Sequence, residues 1–346
     1  MSQNSLSTNR AGIFPTGYGE LLFIAGVPAI AIVSGIFVSH FPKYFLLVLM
    51  LNLWLLGYHH VISTYTRIAS NIESIKQHWI LLLPLPLLVF FSVYVLYQSG
   101  GAIVLGSLYL YWQWYHYTRQ SEGIAKSYGL KCHDPSFSRT SENRILFYQV
   151  PLTSFIYMLS RGQNDFLGIP IFSLELPEQS RYMLLLLSCS GSLIWLLLSV
   201  KALSQNRISV MYFCYLLSHF TIYLIAYVVI TDINYSWLTI NIWHNAQYIA
   251  FVWLYNRKKY ANGVDKKQFL ISYISQPNRV FIYFGSCLII SFTIYSLIDK
   301  AIITFGSNDK LALVFIVYSA INFHHYIVDS RIWKLRKPKI KNTITR

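Results

Sequence analysis

Residues 80–98 read ILLLPLPLLVFFSVYVLYQ, nineteen positions without a charge. A membrane-spanning helix needs about 20 mostly apolar residues, because the hydrocarbon core is about 30 Å thick and a helix rises about 1.5 Å per residue. Nine further stretches come near that measure: roughly 19–38, 45–64, 101–118, 145–160, 182–200, 208–231, 236–256, 279–298 and 311–330. The stretch 145–160 is the weakest, being short and interrupted by Pro151. Composition agrees. Of 346 residues 55% are hydrophobic and only 12% charged, where soluble domains carry about 25% charged residues. A chain this apolar cannot cover a globular surface with polar groups, which excludes a soluble enzyme, a disordered protein and a nucleic-acid-binding module.

The 28 Lys and Arg against 13 Asp and Glu therefore read as topology, since basic residues gather in cytoplasmic loops. With ten spans and both termini inside, the inner segments are 1–18, 65–79, 119–144, 201–207, 257–278 and 331–346. With Arg279 at the inner boundary they hold 23 of the 28 basic residues, leaving Lys43, Arg161, Arg181, Lys300 and Lys310 outside. A miscounted span would destroy that asymmetry. The expectation is one all-α integral membrane domain, 1–346, with a polar N-terminal tail (1–18) and a basic C-terminal tail (335–346), in a bacterial inner (plasma) membrane. The first 17 residues carry no apolar run of a cleaved signal. Cys132, Cys189, Cys214 and Cys287 form no CxxC and suggest no disulfide framework.

Ten histidines are present, and their distribution is informative. His40, His78 and His133 fall in loops or at helix ends, and His219 stands alone in an apolar helix, where a hydrogen-bonded structural role is expected. The other six sit in four aromatic-rich segments: Gly57-Tyr58-His59-His60, Trp112-Gln113-Trp114-Tyr115-His116-Tyr117, Trp243-His244-Asn245-Ala246-Gln247-Tyr248 and Asn322-Phe323-His324-His325-Tyr326-Ile327-Val328-Asp329. Ionisable side chains within a bilayer are expensive and face a bundle interior or a cavity. In the ten-span topology all four histidine helices run from outside to inside. Their histidines then share the inner half of the membrane and can converge. Imidazole suits Fe, Zn, Cu and Ni. In each adjacent pair the side chains point about 100° apart, so one of each can aim at a common centre. Asp329, four residues after His325, shares its helix face and can orient it; the alternative is an ion pair with Arg331 or a neighbouring Lys. Glu122 is the other carboxylate within reach. Trp54, Trp79 and Trp333 read as interfacial belt residues.

These segments resemble, in order and spacing, those of the Brp/Blh family of membrane-embedded β-carotene 15,15'-dioxygenases. Gly57-Tyr58-His59-His60 resembles that family's Gly-x-x-His-Gly-type motif, and Tyr115-His116-Tyr117 its Ile-His-Phe-Gly. His244 to Trp253 is similar to His-Ser-x-x-His followed by Phe-Val-Trp, and His325 to Arg331 to Pro-His-x-x-x-x-Asp followed by basic residues. The likeness spans about residues 45–340. It implies a helical bundle that binds non-haem iron through histidines and oxygenates or cleaves an apolar substrate with O₂. The chain departs from the pattern at Tyr248, where the family has a second histidine, and at the acidic positions of the first two motifs; His59, His324, Gln120 and Gln247 are the substitutes at hand.

The expected centre is a transition metal, iron first, on His60, His116, His244 and His325, with Asp329, Gln120 and Gln247 behind the ligands and Tyr248 and Asp329 the candidate catalytic groups. The expected partners are a hydrophobic small-molecule substrate such as an isoprenoid or acyl chain, O₂ and the bilayer. Trp112, Trp114, Tyr115, Trp243 and Tyr248 are expected to line an apolar, lipid-facing passage. The rival reading is a transporter or channel that moves metal ions or protons through buried histidines. Transporters often show repeats or broken helices, and neither stands out here.

Overall fold

A computed structural model describes residues 12–305 and 309–345. Helices occupy all ten expected stretches. They are α1 (Gly17–His40), α2 (Pro42–Ile68), the two halves of Pro84–Gly129 called α3 (84–100) and α4 (102–129), α5 (Ser141–Leu159), α6 (Glu178–Ser204), α7 (Val210–Val229), α8 (Ile233–Lys259), α9 (Val280–Phe305) and α10 (Lys310–Ile332). Of the expected tail 1–18, residues 1–11 lie outside the described residues. Among the described residues, seven helices are long and apolar enough to cross a membrane, counting Trp79–Gly129 once; α5 and α8 do not meet that measure.

Pro84–Gly129 is a hairpin rather than one rod. Gly101 has φ 69° and ψ −170°, a conformation glycine adopts at little cost. Leu85 packs in one cluster with Val328 and Ile332 near the end of α10, while Tyr97 meets Phe315 near its start. After the turn the order reverses: Trp112 stacks on Phe323 and His116 on Tyr326. So α3 runs antiparallel to α10 and α4 parallel to it.

The polarity of the bundle is inverted relative to a water-soluble protein. Leu46, Leu87, Phe91, Leu186 and Phe281 are exposed, whereas Asn241, Asn245, Gln247 and Asn256 of α8 are buried. Polar groups excluded from hydrocarbon pair with one another inside, which explains why the central helix α8 is less apolar than its neighbours. Pro151 does not stop α5; it only leaves the Phe147 carbonyl without its helical donor.

Both described ends of the chain lie at one end of the bundle. Ile13, Ile340 and Ile344 share a core cluster with Cys132, Leu254 and Tyr255, and Lys131 Nζ donates to Gly12 O (2.8 Å). The C-terminal tail is not free: Pro338–Thr345 forms α11, whose Ile340 and Ile344, one turn apart, are buried. At the opposite end the strands β1 (Asp165–Phe166) and β2 (Ile169–Pro170) pair antiparallel. That loop lies against α4, where Phe172 N donates to Ser107 Oγ and Tyr111 to Phe172 O.

Candidate metal centre

α2, α4, α8 and α10 bring His60, His116, His244 and His325 to one level of the core, all buried. A π-helical stretch, Leu53–Gly57, ends just before His59 and His60; such stretches rotate the following residues and recur at functional sites. The His60 ring lies 4.5 Å from that of His325 and 4.7 Å from that of His244, and the His116 ring lies 5.1 Å from His325 and 5.0 Å from His244, between centroids. One turn further along, Thr64, Tyr248 and Asp329 meet in a second layer. Two such layers, displaced in the same chain direction, show that α2, α8 and α10 run parallel. α4 runs with them, as its packing on α10 requires.

Hydrogen bonds orient the donors. The Tyr248 hydroxyl donates to Asp329 Oδ1 (2.6 Å) and accepts from Trp333 Nε1 (3.0 Å). Thr64 Oγ1 donates to the same carboxylate oxygen (3.1 Å) and lies 2.9 Å from His325 Nδ1. With its proton given to Asp329, Thr64 accepts from His325 Nδ1–H, so the His325 Nε2 lone pair faces inward. There it stands 2.7 Å from His60 Nε2 and 3.6 Å from Asp329 Oδ2. His116 Nε2 and Asp329 Oδ2 are buried without a hydrogen-bond partner, an arrangement that native cores seldom leave unexplained.

His60, His116, His325 and Asp329 each offer one ligand atom, and these atoms lie within 4.8 Å of one another. Donors at about 2.1 Å from one ion lie at most about 4.2 Å apart, so small rotamer shifts close the set. The residues fit a transition metal, with three imidazoles and one carboxylate as the chemistry of the set. His244 is against this group but is not one of the four; Tyr117 covers its ring at 3.9 Å. Asp329, expected behind the ligands, stands among them, while Thr64 takes the orienting position on His325.

The remaining candidates are not among the four. His59 faces Phe284 of α9 at 5.7 Å. His324 bonds Leu81 O (2.7 Å) and the Tyr65 hydroxyl (3.2 Å). Gln120 Nε2 donates to His244 O (3.3 Å), and Gln247 Oε1 accepts from Tyr215 (3.3 Å). Glu122 is held by Arg119 (2.7 Å) and Lys126 (2.6 Å). Thr64 was missed by sequence reading, although it lies one turn after His60, as Tyr248 follows His244 and Asp329 follows His325. Trp333, expected at the membrane belt, bonds Tyr248 and has the Arg67 guanidinium 4.6 Å above its ring.

Next to the histidine layer, Asn52 and Asn245 both donate to Asn241 Oδ1 (2.6 and 2.8 Å), and Asn241 bonds the Tyr117 hydroxyl. A cavity of about 1080 Å³ reaches His116, Gln120, Tyr248 and Asp329. Trp112 and Tyr115 line it as expected. Trp114 instead stacks on Phe155 (5.7 Å) and Trp243 packs in the core beside His219 and Tyr223. The cavity is not apolar throughout, because its rim carries Lys and Arg side chains. A scan against protein-family models, a search of the curated proteins and a search of the solved structures each gave no match.

Proposed function

We propose that this protein is a membrane-embedded, metal-dependent oxygenase that acts with O₂ on a lipid-soluble substrate such as an isoprenoid or acyl chain. The observation that carries the reading is the convergence of His60, His116, His325 and Asp329, with unpartnered buried donors, at the inner end of a large cavity. Histidines plus a carboxylate with open positions suit non-haem iron, and iron, when bound, supplies the redox chemistry that O₂ requires. The order of the histidine motifs, similar to that of the Brp/Blh family, supports the same choice.

The chain's own groups have separable tasks. Asp329 supplies the one carboxylate to a site otherwise built from imidazoles. Tyr248 and Thr64 occupy its Oδ1 and leave Oδ2 for the centre. Trp112 and Tyr115 offer broad faces that grip an apolar chain by area. The helices cross the bilayer ten times with both termini cytoplasmic, in a bacterial inner membrane. Reporter fusions after residues 140, 205, 265 and 346 are then all cytoplasmic, and an opposite signal at any one breaks the topology. The transport reading is weaker, because a rim of Lys and Arg repels the cations it would have to admit. The decisive test is O₂ uptake by the iron-loaded protein in the presence of candidate lipids. Uptake that depends on both iron and lipid supports the proposal; metal flux across proteoliposomes without O₂ uptake replaces it with transport.

A further inference from the structure

The cavity above the candidate metal centre is charged in an uneven way. Eight Lys and Arg residues line it against two carboxylates, Glu122 and Asp329. Glu122 is shared among Arg119, Lys126 and Arg144, and Asp329 lies buried with the histidines. Among the described residues, Arg139, Arg331, Lys334, Arg336 and Lys341 make no ion pair, yet all five face the same opening. They come from three segments: the connection before α5, the end of α10 with the chain just after it, and α11. Positive-inside bias spreads charge over all inner loops; it does not require five unneutralised cations around the mouth of one cavity. A cleft lined by one sign of charge concentrates the opposite ion, and guanidinium groups match phosphate or carboxylate oxygens by paired hydrogen bonds.

The deeper walls have another character. Phe251 follows Tyr248 towards the rim, and Trp112, Tyr115 and Ile327 line the cavity at and beyond the level of His116 and Asp329. From His116 to Lys126 the wall of α4 rises ten residues, or about 15 Å. At about 1080 Å³ the space exceeds an ordinary small-ligand pocket.

We propose that this cavity binds an anionic amphiphile. The phosphate or carboxylate head group is held by the rim cations, and the apolar chain lies along the aromatic wall with its inner part at the histidines. The proposal deepens the reading of the cavity as the substrate site of the metal centre and rests on it.

The test uses the full chain in nanodiscs of phosphatidylcholine, titrated with dodecyl phosphate bearing a terminal bromine. Contact of the bromine with Trp112 or Trp333 quenches fluorescence. The expected result is saturable quenching about tenfold tighter than with the matching bromododecanol, the contribution of hydrogen bonds to a charged group. Inorganic phosphate at equal concentration does not displace the probe, because the chain is needed as well. Arg331→Gln/Arg336→Gln brings the phosphate down to the affinity of the alcohol, and Lys334→Gln/Lys341→Gln is a second variant on the same rim. Equal binding of phosphate and alcohol, displacement by inorganic phosphate alone, or unchanged binding in both double variants overturns the proposal and leaves the rim as contact for bulk lipid or a free anion. Metal content separates the two readings. Rim-dependent binding by a protein that takes up no metal sinks the oxygenase and keeps the amphiphile; bound metal without head-group preference does the reverse.

Discussion

His219 and His325 are buried to the same degree, at 0% and 1% exposed, and both lie on helices within the bundle. Their surroundings differ. His219 stacks on Phe147 at 4.0 Å between centroids, and both its ring nitrogens have ordinary partners. Nε2 donates to the Phe147 carbonyl (3.4 Å), which Pro151 leaves without a helical donor, and Nδ1 accepts from Ser121 Oγ (2.9 Å). His325 is fixed at Nδ1 by Thr64 and its Nε2 shares a hydrogen bond with His60 Nε2 (2.7 Å), while beside it His116 Nε2 and Asp329 Oδ2, the latter 3.6 Å from His325 Nε2, have no hydrogen-bond partner. Burial alone therefore does not distinguish a site from a core. The difference is whether the lone pairs are spent.

The comparison can be broken by substitution, with metal content as the common readout. Asp329→Asn and His325→Ala have the largest expected effect: metal is lost from the purified protein while circular dichroism shows the helices intact. Thr64→Val keeps all four ligand atoms but frees His325 Nδ1 and leaves Asp329 Oδ1 with Tyr248 as its remaining donor. Metal affinity is expected to fall about 10–100-fold, as for other groups that orient ligands, measured by competition with a chelator. Tyr248→Phe removes one of two donors to Asp329 Oδ1, and Thr64 remains. The protein is expected to keep its metal with an affinity loss below about tenfold, and loss of metal with the fold intact would make Tyr248 a ligand. Tyr248→His is expected to fold, since it sits on the same helical face. At the other end of the scale, His219→Leu leaves metal unchanged but strands the Phe147 carbonyl and takes from the Ser121 hydroxyl one of its two partners, Tyr215 remaining. That costs about 1–3 kcal/mol of stability, seen as a lower melting temperature.

Much of this was readable from sequence because hydropathy and polarity are local. The ten helical stretches follow from apolar runs, and the reversal at Gly101 from Ser99-Gly100-Gly101 between two of them. Adjacent pairs such as His59 and His60 divide as helical geometry demands, one inward and one outward. What escaped depends on contacts between distant residues. Thr64 looks like any helical threonine until Asp329 and Tyr248, 265 and 184 positions away, are placed against it. Trp114 and Trp243 belong to the core because their partners, Phe155 and Tyr223, come from other helices. The basic tail reads as a solvated segment facing lipid headgroups; its docking as α11, which carries Lys341 to the cavity rim, depends on where Ile340 and Ile344 find apolar neighbours.

The central claim, that three histidines and Asp329 form a metal centre, is tested most directly by elemental analysis of the full chain purified without chelators, beside Asp329→Asn and His219→Leu prepared in the same way. The account predicts close to one equivalent of a transition metal in the parent chain and in His219→Leu, and little in Asp329→Asn. A folded parent protein that takes up no transition metal, or equal metal in both variants, would contradict it.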